Sequence, residues 1–402
     1  MALIVKKFGG SSVADSTRIM NVANIIAEDY KKGNDIITVV SAQGDTTDDL
    51  IAKAKEINSG NPSKREMDML LTAGEQISVA LLAMAIEKLG CPVISLLGWQ
   101  AGFNTDSNHG IARIKNIKTD RMKAELAKRN IIIVAGFQGI NKYDDLTTLG
   151  RGGSDTSAVA IASALHADCC QIYTDVDGVY TADPRKVEGA KKLDEITYDE
   201  MLELATLGAQ VLNNRSVEMA KKYNVELEVL SSLEKKKGTI VRENIKMEKM
   251  LIRGVTNDKN VATISVIGLK DLPGVAFKLF NKLAQYKINL DMILQSVGRN
   301  GTKDITFTVA RDQADDAIKA IESLKSIFEY ESLTRDDKVS KVSIVGAGME
   351  SHPGVAAKMF EALYDADVNI RMIASSEIKI SVLIDENNTA KAVKAIHDAF
   401  IG

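Results

Sequence analysis

Residues 2–30 read ALIVKKFGGSSVADSTRIMNVANIIAEDY, and this stretch predicts how the first half of the chain folds. The apolar run at its start favours a β-strand, and Asp15–Tyr30 carries apolar residues at helical spacing. Gly9 and Gly10 occupy the turn between them, where backbone N–H groups and a helix N-terminus can meet a phosphate. Lys7 adds a positive charge. The stretch therefore predicts a phosphate-binding turn, and a tight turn beside a surface lysine is the alternative interpretation.

The same alternation of strands and helices continues through the first part of the chain. Further strands are predicted at Asp35–Val40, Pro92–Leu97, Ile131–Ala135 and Cys170–Tyr173, and helices at Met69–Lys88 and Asp155–Leu165. Continuous apolar strands between helices indicate a mostly parallel sheet that is covered on both faces. We therefore expect an α/β fold that begins with a three-layer αβα domain.

The composition excludes several classes of protein. The 402 residues are 45% hydrophobic and 26% charged with a formal charge of −3, which is typical of a globular protein with two or three domains. A strongly basic nucleic-acid binder is not expected, and no apolar stretch is long enough to predict a membrane span. No disulfide framework or metal site is predicted from the sparse, scattered cysteines and histidines, which are Cys91, Cys169, Cys170, His109, His166, His352 and His397. We expect a cytoplasmic protein.

An internal repeat follows a charged stretch after Leu233. Val261–Ile293 reads VATISVIGLKDLPGVAFKLFNKLAQYKINLDMI, and Lys341–Ile373 reads KVSIVGAGMESHPGVAAKMFEALYDADVNIRMI. Matching residues lie 80 positions apart, as Pro273 and Pro353 do. Each copy predicts a strand, a Pro-Gly turn, a helix, two strands and a helix, which is the order of a ferredoxin-like βαββαβ unit.

The two copies differ at their ends. The first continues into Glu329–Thr334, which predicts a fourth strand, whereas the second stops after its last helix. Met250–Asn257 is therefore expected to supply the missing edge of the second unit, because an unfilled edge leaves backbone groups unpaired. The expected domains are residues 1–245, residues 261–335, and residues 250–257 together with 341–402.

Further motifs suggest the chemistry. Leu149–Thr156, LGRGGSDT, is a second glycine-rich element that opens a helix. Arg151 suits bidentate recognition of a carboxylate, whereas Asp155 is either part of the site or simply an N-cap. Glu75 interrupts an apolar helix, so it lies either at the surface or facing a site, where it would suit a substrate ammonium. Tyr173–Arg185 clusters carboxylates in a loop that fits a ribose, a magnesium–phosphate group or an ordinary capped loop.

These motifs together carry a resemblance. KFGGSS, VVSAQGDTTDDL, TAGE, TTLGRGGSDT and YTDVDGVYTADPR, in this order, resemble aspartate kinases of the amino-acid kinase superfamily, and the PGVA repeats resemble the paired ACT domains that follow in those enzymes. The resemblance covers essentially the whole chain. It implies ATP-dependent phosphorylation of the side-chain carboxylate of L-aspartate, giving 4-phospho-L-aspartate, at the start of the lysine, threonine and methionine pathways. It also implies Mg²⁺ bound through the nucleotide, inhibition by lysine, threonine or both at ACT interfaces, and a homodimer or higher oligomer.

The family pattern implies a role for each matching residue. Phosphate contacts are implied for Lys7, Phe8, Gly9 and Gly10, and aspartate contacts for Ser41, Thr47, Glu75, Arg151 and Ser154. Within these sets, Glu75 would bind the substrate ammonium, and Arg151 with Ser154 would bind its α-carboxylate. Asp155 would orient Lys7, and these two with Arg151 would carry catalysis. Since the acceptor carboxylate is itself the nucleophile, catalysis needs only alignment and neutralisation of the phosphoryl charge.

The nucleotide contacts include one departure from the family. The implied residues are Thr174, Asp175, Tyr180, Asp183, Arg185 and Gln210. Residues 208–214 read GAQVLNN where many family members have Gly-Ala-Lys-Val-Leu-His-Pro, so Gln210 cannot supply the charge of the family lysine. We expect weaker nucleotide affinity, because Lys7, Arg151 and Asp155 remain. The alternatives are an inactive kinase-like domain that senses amino acids, and a kinase for another carboxylate such as glutamate.

The repeats predict effector sites. Each Pro-Gly turn opens a helix, where free N–H groups and the helix dipole suit an amino-acid α-carboxylate. The implied contacts are Asp271, Gly274, Val275, Ala276, Asn289, Leu290, Asp291 and Gln295 in the first copy, and Val355, Ala356, Asn369, Ile370, Ser376 and Glu377 in the second. Asp291 and Glu377 could meet an ammonium group. The alternative is a repeat that serves only as a dimerisation platform.

Overall fold

The computed structural model describes residues 2–60, 62–208, 211–245, 251–296, 301–325, 327 and 329–402. These residues form two compact units. The first unit takes in residues 2–179, 192–206 and 211–245, and the second takes in residues 180–191, 207, 208 and the described residues from 251 to 402. The chain therefore enters the second unit in two short segments before it reaches the repeats.

The first unit is built on a large, mostly parallel sheet. In chain order the strands are β1 (Leu3–Phe8), β2 (Asp35–Val40), β3 (Val93–Leu96), β4 (Phe103–Thr105), β5 (Ile114–Ile117), β6 (Ile131–Ala135), β7 (Gln138–Ile140), β8 (Leu146–Thr148), β9 (Cys169–Thr174), β10 (Glu195–Thr197), β11 (Leu227–Ser231) and β12 (Thr239–Arg242). The large sheet has the order β10-β12-β11-β9-β1-β2-β6-β3, and its pairs are parallel apart from β11 with β12. The mostly parallel sheet predicted from the sequence is confirmed.

The helices of the first unit cover both faces of this sheet. They are α1 (Ser16–Lys31), α2 (Thr46–Ile57), α3 (Lys64–Lys88), α4 (Asp120–Ala127), α5 (Gly153–Leu165), α6 (Tyr198–Thr206) and α7 (Asn214–Tyr223). On one face, Val22 of α1 and Leu82 of α3 pack in one buried cluster with Phe8 and Ile133 of the strands. On the other face lies α5, whose residues 153–162 are all buried. This arrangement confirms the expected αβα layers.

Alternation along β1 sends its two lysines to opposite faces of the sheet. Lys6 is fully buried beside α1, where its ammonium lies 2.7 Å from a carboxylate oxygen of Asp29. Burial lowers the pKa of Lys6, and the bond to Asp29 offsets part of that effect. Lys7 faces α5, where its ammonium lies 2.7 Å from a carboxylate oxygen of Asp155. The strand therefore delivers one lysine to each face.

The helix α3 is long and apolar enough to cross a membrane by length and composition alone. In this unit it is a core helix, because Val79, Leu82 and Ile86 are buried in the cluster beneath the sheet. Its buried residues also include the carboxylates of Asp68 and Glu75. Buried carboxylates in an apolar helix need partners, so this face of α3 is a candidate for a site.

A second, small sheet lies in a region where the sequence patterns indicate no strands. It has the order β5-β4-β7-β8, and β8 runs directly into the glycine-rich loop that begins after Leu149. Its strands are only three or four residues long, with short sequences such as FNT and LTT. Neither length nor apolar alternation marks such strands in a sequence. The small sheet nevertheless carries one end of the loop that presents Arg151.

The second unit contains both predicted βαββαβ repeats. Its strands are β13 (Gly254–Asp258), β14 (Ala262–Lys270), β15 (Ile293–Gln295), β16 (Thr302–Val309), β17 (Ser332–Asp336), β18 (Val339–Val345), β19 (Met372–Ser375) and β20 (Lys379–Asp385). Its helices are α8 (Val275–Gln285), α9 (Ala314–Glu322), α10 (Val355–Asp365) and α11 (Thr389–Phe400). The strands form two antiparallel sheets, in the orders β15-β16-β14-β17 and β13-β18-β20-β19.

The strand β13 fills the edge that the second repeat lacks. It pairs antiparallel with β18, from Gly254 opposite Val345 to Asp258 opposite Lys341. This is the pairing that the missing fourth strand of the second copy predicts. Met250, the first residue of the predicted segment, lies outside the described residues. In the first repeat, β17 fills the corresponding edge by pairing with β14.

Residues 180–191, which the sequence patterns place in the first domain, fold with the second unit. Ala182 and Val187 are buried in one apolar cluster with Ile396 of α11. Thr181 is also buried, and its hydroxyl lies 2.9 Å from Nε2 of His397, within hydrogen-bond distance. Part of the loop that is predicted to line a nucleotide is thus built into the core of the second repeat.

Candidate active site

A cleft of about 640 Å³ lies in the first unit beside the C-terminal end of β1. Its walls include the following residues that the sequence assigns to the site: Lys7, Gly9, Gly10, Ser41, Thr47, Glu75, Arg151, Ser154 and Asp155. They come from β1 and the turn after it, from the turn after β2, from α2 and α3, and from the start of α5 with the loop before it. Parallel α/β sheets bind ligands at the carboxyl ends of their strands, so this convergence has the position expected of an active site.

The β1 end of the cleft contains a nearly buried ion pair and a close approach between two backbone segments. Lys7 and Asp155 are nearly buried as an ion pair of 2.7 Å. The helix α5 begins at Gly153 with Gly152 as its N-cap, so Asp155 is not the N-cap and its carboxylate serves Lys7. A Cβ at Gly10 would lie 2.6 Å from a backbone carbonyl oxygen of the turn after β2, so only glycine fits there.

Phe8 does not line the cleft, although it was predicted with the phosphate contacts. Its ring is fully buried and stacks on Tyr173 with the ring centroids 4.4 Å apart. Alternation along β1 explains the difference, because Phe8 shares the face of Lys6 and not that of Lys7. The side chain of Phe8 therefore belongs to the core.

Glu75 presents a buried carboxyl group with one unpaired oxygen. The residue is 3% exposed, and its Oε1 accepts a 3.1 Å hydrogen bond from the backbone N–H of Ala42. Oε2 is buried and, among the described residues, has no hydrogen-bond partner. Burial raises the pKa of Glu75 to about 7, although the N–H of Ala42 acts in the opposite direction. A cation in the cleft would supply the partner that Oε2 lacks.

The loop between β8 and α5 presents Arg151 to the cleft. Gly150 and Gly152 have φ angles of 83° and 69°, which is the left-handed region that favours glycine. A Cβ at Gly152 would also lie 2.2 Å from the side-chain amide nitrogen of Asn213, so the space excludes any other residue. The side chain of Arg151 is exposed at the edge of the cleft. An exposed guanidinium on a loop whose conformation is set by its glycines suits a carboxylate ligand.

Asp68 and His109 also line the cleft, and the sequence patterns did not single them out. Asp68 is buried in α3, and its carboxylate lies 2.8 Å from Nδ1 of His109. Helical spacing could have indicated Asp68, because residues seven apart share a helix face and Glu75 follows seven residues later. The charged sequence KREMDM, residues 64–69, instead led to a predicted helix that starts too late. The helix begins at Lys64 because Ser63 caps it.

The residues that are predicted to line the nucleotide lie outside the walls of this cleft. They are Thr174, Asp175, Tyr180, Asp183 and Arg185. The last three fold with the second unit, where Asp183 and Arg185 form an ion pair of 3.0 Å. Gln210 lies outside the described residues. The cleft itself thus holds groups for a phosphate, an ammonium and a carboxylate, which is the set needed to align an amino acid with a phosphoryl donor.

Replacing Glu75 with Gln should stabilise the free protein at and above neutral pH. The folded pKa of about 7 exceeds the value of 4.5 of an ordinary glutamate, so between these values the folded protein keeps a proton that the unfolded protein has released. Stability therefore falls as the pH rises through this window. The full penalty is on the order of 3 kcal/mol, and the neutral amide avoids it. Urea unfolding at pH 5 and pH 8 should show a larger gain for Glu75→Gln at pH 8.

Glu125→Gln is the matched control for this prediction. Glu125 is equally buried, but its carboxylate bonds with Asn130 and pairs with Arg121 and Lys128. These partners hold its pKa below the usual value, so the same substitution there should destabilise the protein at pH 8. A Glu75→Gln variant that is no more stable than the wild type at pH 8 would contradict the uncompensated charge.

Comparison with known proteins agrees with this geometry. A model of the amino acid kinase family matches residues 2–231, and a model of the ACT domain matches residues 264–324 and 342–400. The aspartokinase of Mycolicibacterium smegmatis is 52% identical over an alignment that covers 100% of this chain and 96% of that protein. The similarity therefore extends across both units.

Solved structures of an aspartokinase are also similar to this chain over its full length. E. coli aspartokinase III in complex with aspartate and ADP is 25% identical to this chain, with a TM-score of 0.84 over 100% of both chains. The same enzyme in complex with lysine and aspartate has a TM-score of 0.77, also at 25% identity and over 100% of both chains. With a family model that matches more than half of its residues and a relative at 52% identity over its full length, the chain belongs to the amino acid kinase family and, within it, to the aspartokinases, the ATP-dependent kinases of aspartate.

Proposed function

We propose that the cleft holds L-aspartate with its side-chain carboxylate directed toward Lys7 and the phosphates of ATP. Glu75 binds the α-ammonium group, and Arg151 with Ser154 binds the α-carboxylate. The observation that carries this proposal is the buried, unpaired Oε2 of Glu75, because a buried carboxylate without a partner is unfavourable and a substrate ammonium relieves it. The structure of aspartokinase III with aspartate and ADP supports the choice of ligands.

The reaction needs alignment and charge neutralisation more than acid–base chemistry. The acceptor carboxylate is ionised at neutral pH. One of its oxygens bonds to the γ-phosphorus while the bond from that phosphorus to the β–γ bridging oxygen breaks and ADP leaves. Lys7 and the backbone N–H groups of the glycine turn neutralise the charge on the phosphoryl oxygens during transfer. Asp155 keeps Lys7 in place through their ion pair. Ser41 and Thr47, which line the same cleft, hold the acceptor carboxylate.

Mg²⁺ bound through the phosphates of ATP would help to neutralise their charge. Because this ion depends on substrate phosphates for much of its binding, few protein ligands would be required. The ammonium of Lys7 and the close backbone at Gly10 form a donor set that fits phosphate. The proposed contacts to the rest of the nucleotide are Thr174, Asp175, Tyr180, Asp183, Arg185 and Gln210. The uncharged side chain of Gln210 lowers the affinity for ATP.

Lysine, threonine or both are the proposed effectors, and they bind at the repeats. Aspartokinase III has been solved in complex with lysine. In this chain Gly274 and Gly354 cap α8 and α10 with φ angles of 88° and 94°, and a Cβ at either position would meet nothing within 4 Å. Open space at a helix N-terminus suits an α-carboxylate. Asp291 already pairs with the buried ammonium of Lys341, so an effector ammonium must compete with that lysine.

A homodimer or higher homo-oligomer through the second unit completes the proposal. The strands β15 and β19 are edge strands, and they expose the apolar side chains of Ile293, Leu294 and Ile373. An exposed apolar edge with free backbone groups favours pairing with another chain. Effectors bound beside these edges would lie between the subunits.

Lys7→Met should lower kcat by a factor on the order of 10² to 10³ and change the aspartate KM much less, because the lost charge acts on the moving phosphoryl group. An aspartyl hydroxamate assay measures kcat, and circular dichroism verifies the fold. Lys6→Met is the matched control, since Lys6 lies next in the strand but on the opposite face, and it should change kcat by less than tenfold. Near-normal kcat in a folded Lys7→Met variant would show that Lys7 has no role in transfer.

Arg151→Ala should raise the KM for aspartate and lower kcat, because the guanidinium both binds and aligns the α-carboxylate. The loss in kcat/KM for aspartate should correspond to about 2–5 kcal/mol. Steady-state kinetics with aspartate varied at saturating ATP measures it, and the KM for ATP is the internal control. Aspartate kinetics within about twofold of the wild type would exclude this contact.

Gly274→Asp and Ser376→Phe should relieve inhibition by lysine or threonine, because each fills or distorts a proposed effector site, and an effector inhibits only by binding the inactive state better. The measurement is the ratio of activity with and without each amino acid, alone and combined, which should approach one. Gly33→Asp is a matched control: Gly33 is left-handed and open in the same way but lies in the first unit. Wild-type activity that is indifferent to both amino acids would leave the repeats as a dimerisation platform.

A further inference from the structure

We propose that Asp68 and Arg215 are positioning residues that hold residues 148–152, here called the Arg151 loop, in the form that binds the substrate α-carboxylate. This role depends on the proposed function, in which Arg151 contacts that carboxylate. Both side chains are charged; Asp68 is buried and Arg215 is partly buried. Both direct their hydrogen bonds to the Arg151 loop and to the neighbouring residues 109–112.

Asp68 holds the start of the loop from α3. Its Oδ1 accepts a 2.6 Å hydrogen bond from the hydroxyl of Thr148. The backbone N–H of Gly110 lies 3.0 Å and 3.1 Å from its two oxygens, and Nδ1 of His109 lies 2.8 Å from Oδ2. The side chain of Asp68 is 1% exposed, so each of these bonds forms in a desolvated place where it is strong. One carboxylate thus fastens two segments of the cleft wall together.

Arg215 holds the middle of the loop from α7. Its two terminal nitrogens donate to the backbone carbonyl oxygens of Leu149, at 2.9 Å, and Ala112, at 3.1 Å. Asn213, two residues earlier, donates from its side-chain amide to the carbonyl oxygen of Arg151 at 3.2 Å. Burial lowers the pKa of Arg215, and the nearby charge of Arg113 adds to that effect. The guanidinium therefore donates two hydrogen bonds to backbone carbonyl groups, although burial there destabilises its charged form.

Asp68 and Arg215, here called the two anchors, both bind the same pair of adjacent backbone segments, which are residues 109–112 and the Arg151 loop. The N–H of Ala112 donates to the carbonyl oxygen of Thr148 at 2.8 Å, which joins residues 109–112 to the end of β8. The carbonyl oxygen of Gly110 lies only 3.3 Å from the position that a Cβ on Gly150 would occupy. Asp68 therefore holds these two segments from the side of α3, and Arg215 holds them from the side of α7.

The loop needs such anchors because of its own sequence. Gly150, Gly152 and Gly153 give the backbone around Arg151 more freedom than other residues would, and the Arg151 side chain is exposed. Fixing the carbonyl groups of Leu149 and Arg151 fixes the base from which the guanidinium reaches the substrate. A misplacement of about 1 Å at a binding group can lower the rate by about 10². The anchors thus restrict the glycine-rich loop to one backbone conformation, in which Arg151 is placed to bind the α-carboxylate.

The test compares kcat/KM for L-aspartate with kcat/KM for its α-carboxamide, which keeps the amine and the acceptor carboxylate. The ratio of the two values reports recognition of the α-carboxylate. Arg215→Lys, which cannot donate to two carbonyl groups as a planar fork, should lower the ratio at least tenfold. Thr148→Val removes only the hydroxyl bonded to Asp68 and should lower it at least threefold, whereas Thr148→Ser keeps that hydroxyl and should restore the wild-type ratio. The KM for ATP should stay within twofold.

Two controls make the outcomes distinct. Arg129→Lys alters a guanidinium that donates to the Gly33 carbonyl oxygen and pairs with Asp35, away from the cleft walls, and should leave the ratio unchanged. Arg151→Ala should bring the ratio close to one. If Arg151→Ala does so while Arg215→Lys and Thr148→Val keep the wild-type ratio, the anchors are merely structural and the inference is wrong.

If Arg151→Ala itself leaves the ratio unchanged, the proposed carboxylate contact fails, and the inference fails with it. Should Arg215→Lys not fold, the difference between Thr148→Val and Thr148→Ser decides the question, because the two variants differ in the hydroxyl that Asp68 binds. Equal ratios for those two would overturn the role of Asp68.

Discussion

The ion pair between Lys7 and Asp155 joins the central strand of the large sheet to the helix that follows the Arg151 loop. Strand alternation sends Lys7 to the face of α5, and the start of α5 at Gly153 places Asp155 in its first turn. A nearly buried lysine needs such a partner, because an unpaired buried charge is unfavourable. The pair therefore ties the β1 end of the cleft to the same element that carries the Arg151 loop at its other end. The distance between the two ends is then set by the packing of a strand against a helix, which is stiffer than a loop.

Glu75 and Asp68 show two ways of using a buried carboxylate on one helix face. Asp68 finds its partners inside the protein, and through them it joins separate segments of the cleft wall. Glu75 has one oxygen bonded to backbone and one that has no partner among the described residues, and burial raises its pKa to about 7. Burial of this carboxyl group lowers the stability of the free protein at and above neutral pH, and a cation bound to the unpaired oxygen would offset that loss.

Local patterns in the sequence determine much of this protein. The strands at Asp35–Val40 and Ile131–Ala135 were predicted with the bounds that the structure shows, because a continuous apolar run between helices permits little else than a buried parallel strand. The 80-residue offset of the repeats determines two βαββαβ units, and the missing fourth strand of the second copy determines that β13 pairs with β18. The glycine-rich turns, Glu75 and Arg151 were also recognisable, since glycine pairs and isolated charges stand out in apolar surroundings.

Tertiary structure alone decided the rest. The small sheet formed by β4, β5, β7 and β8 has strands too short for a periodic signal. Asp68 lies in a charged segment, where one more carboxylate does not stand out as a candidate site residue. Residues 180–191 bury Ala182 and Val187 in the core of the second repeat, and Asp291 pairs with Lys341. Each of these contacts joins residues far apart in the chain. The sequence by itself therefore determined the long strands and helices, the repeats and most of the chemical groups of the site. The short strands and the partners of those groups were decided by packing, because hydrogen bonds and ion pairs between distant residues form only when the whole chain has folded.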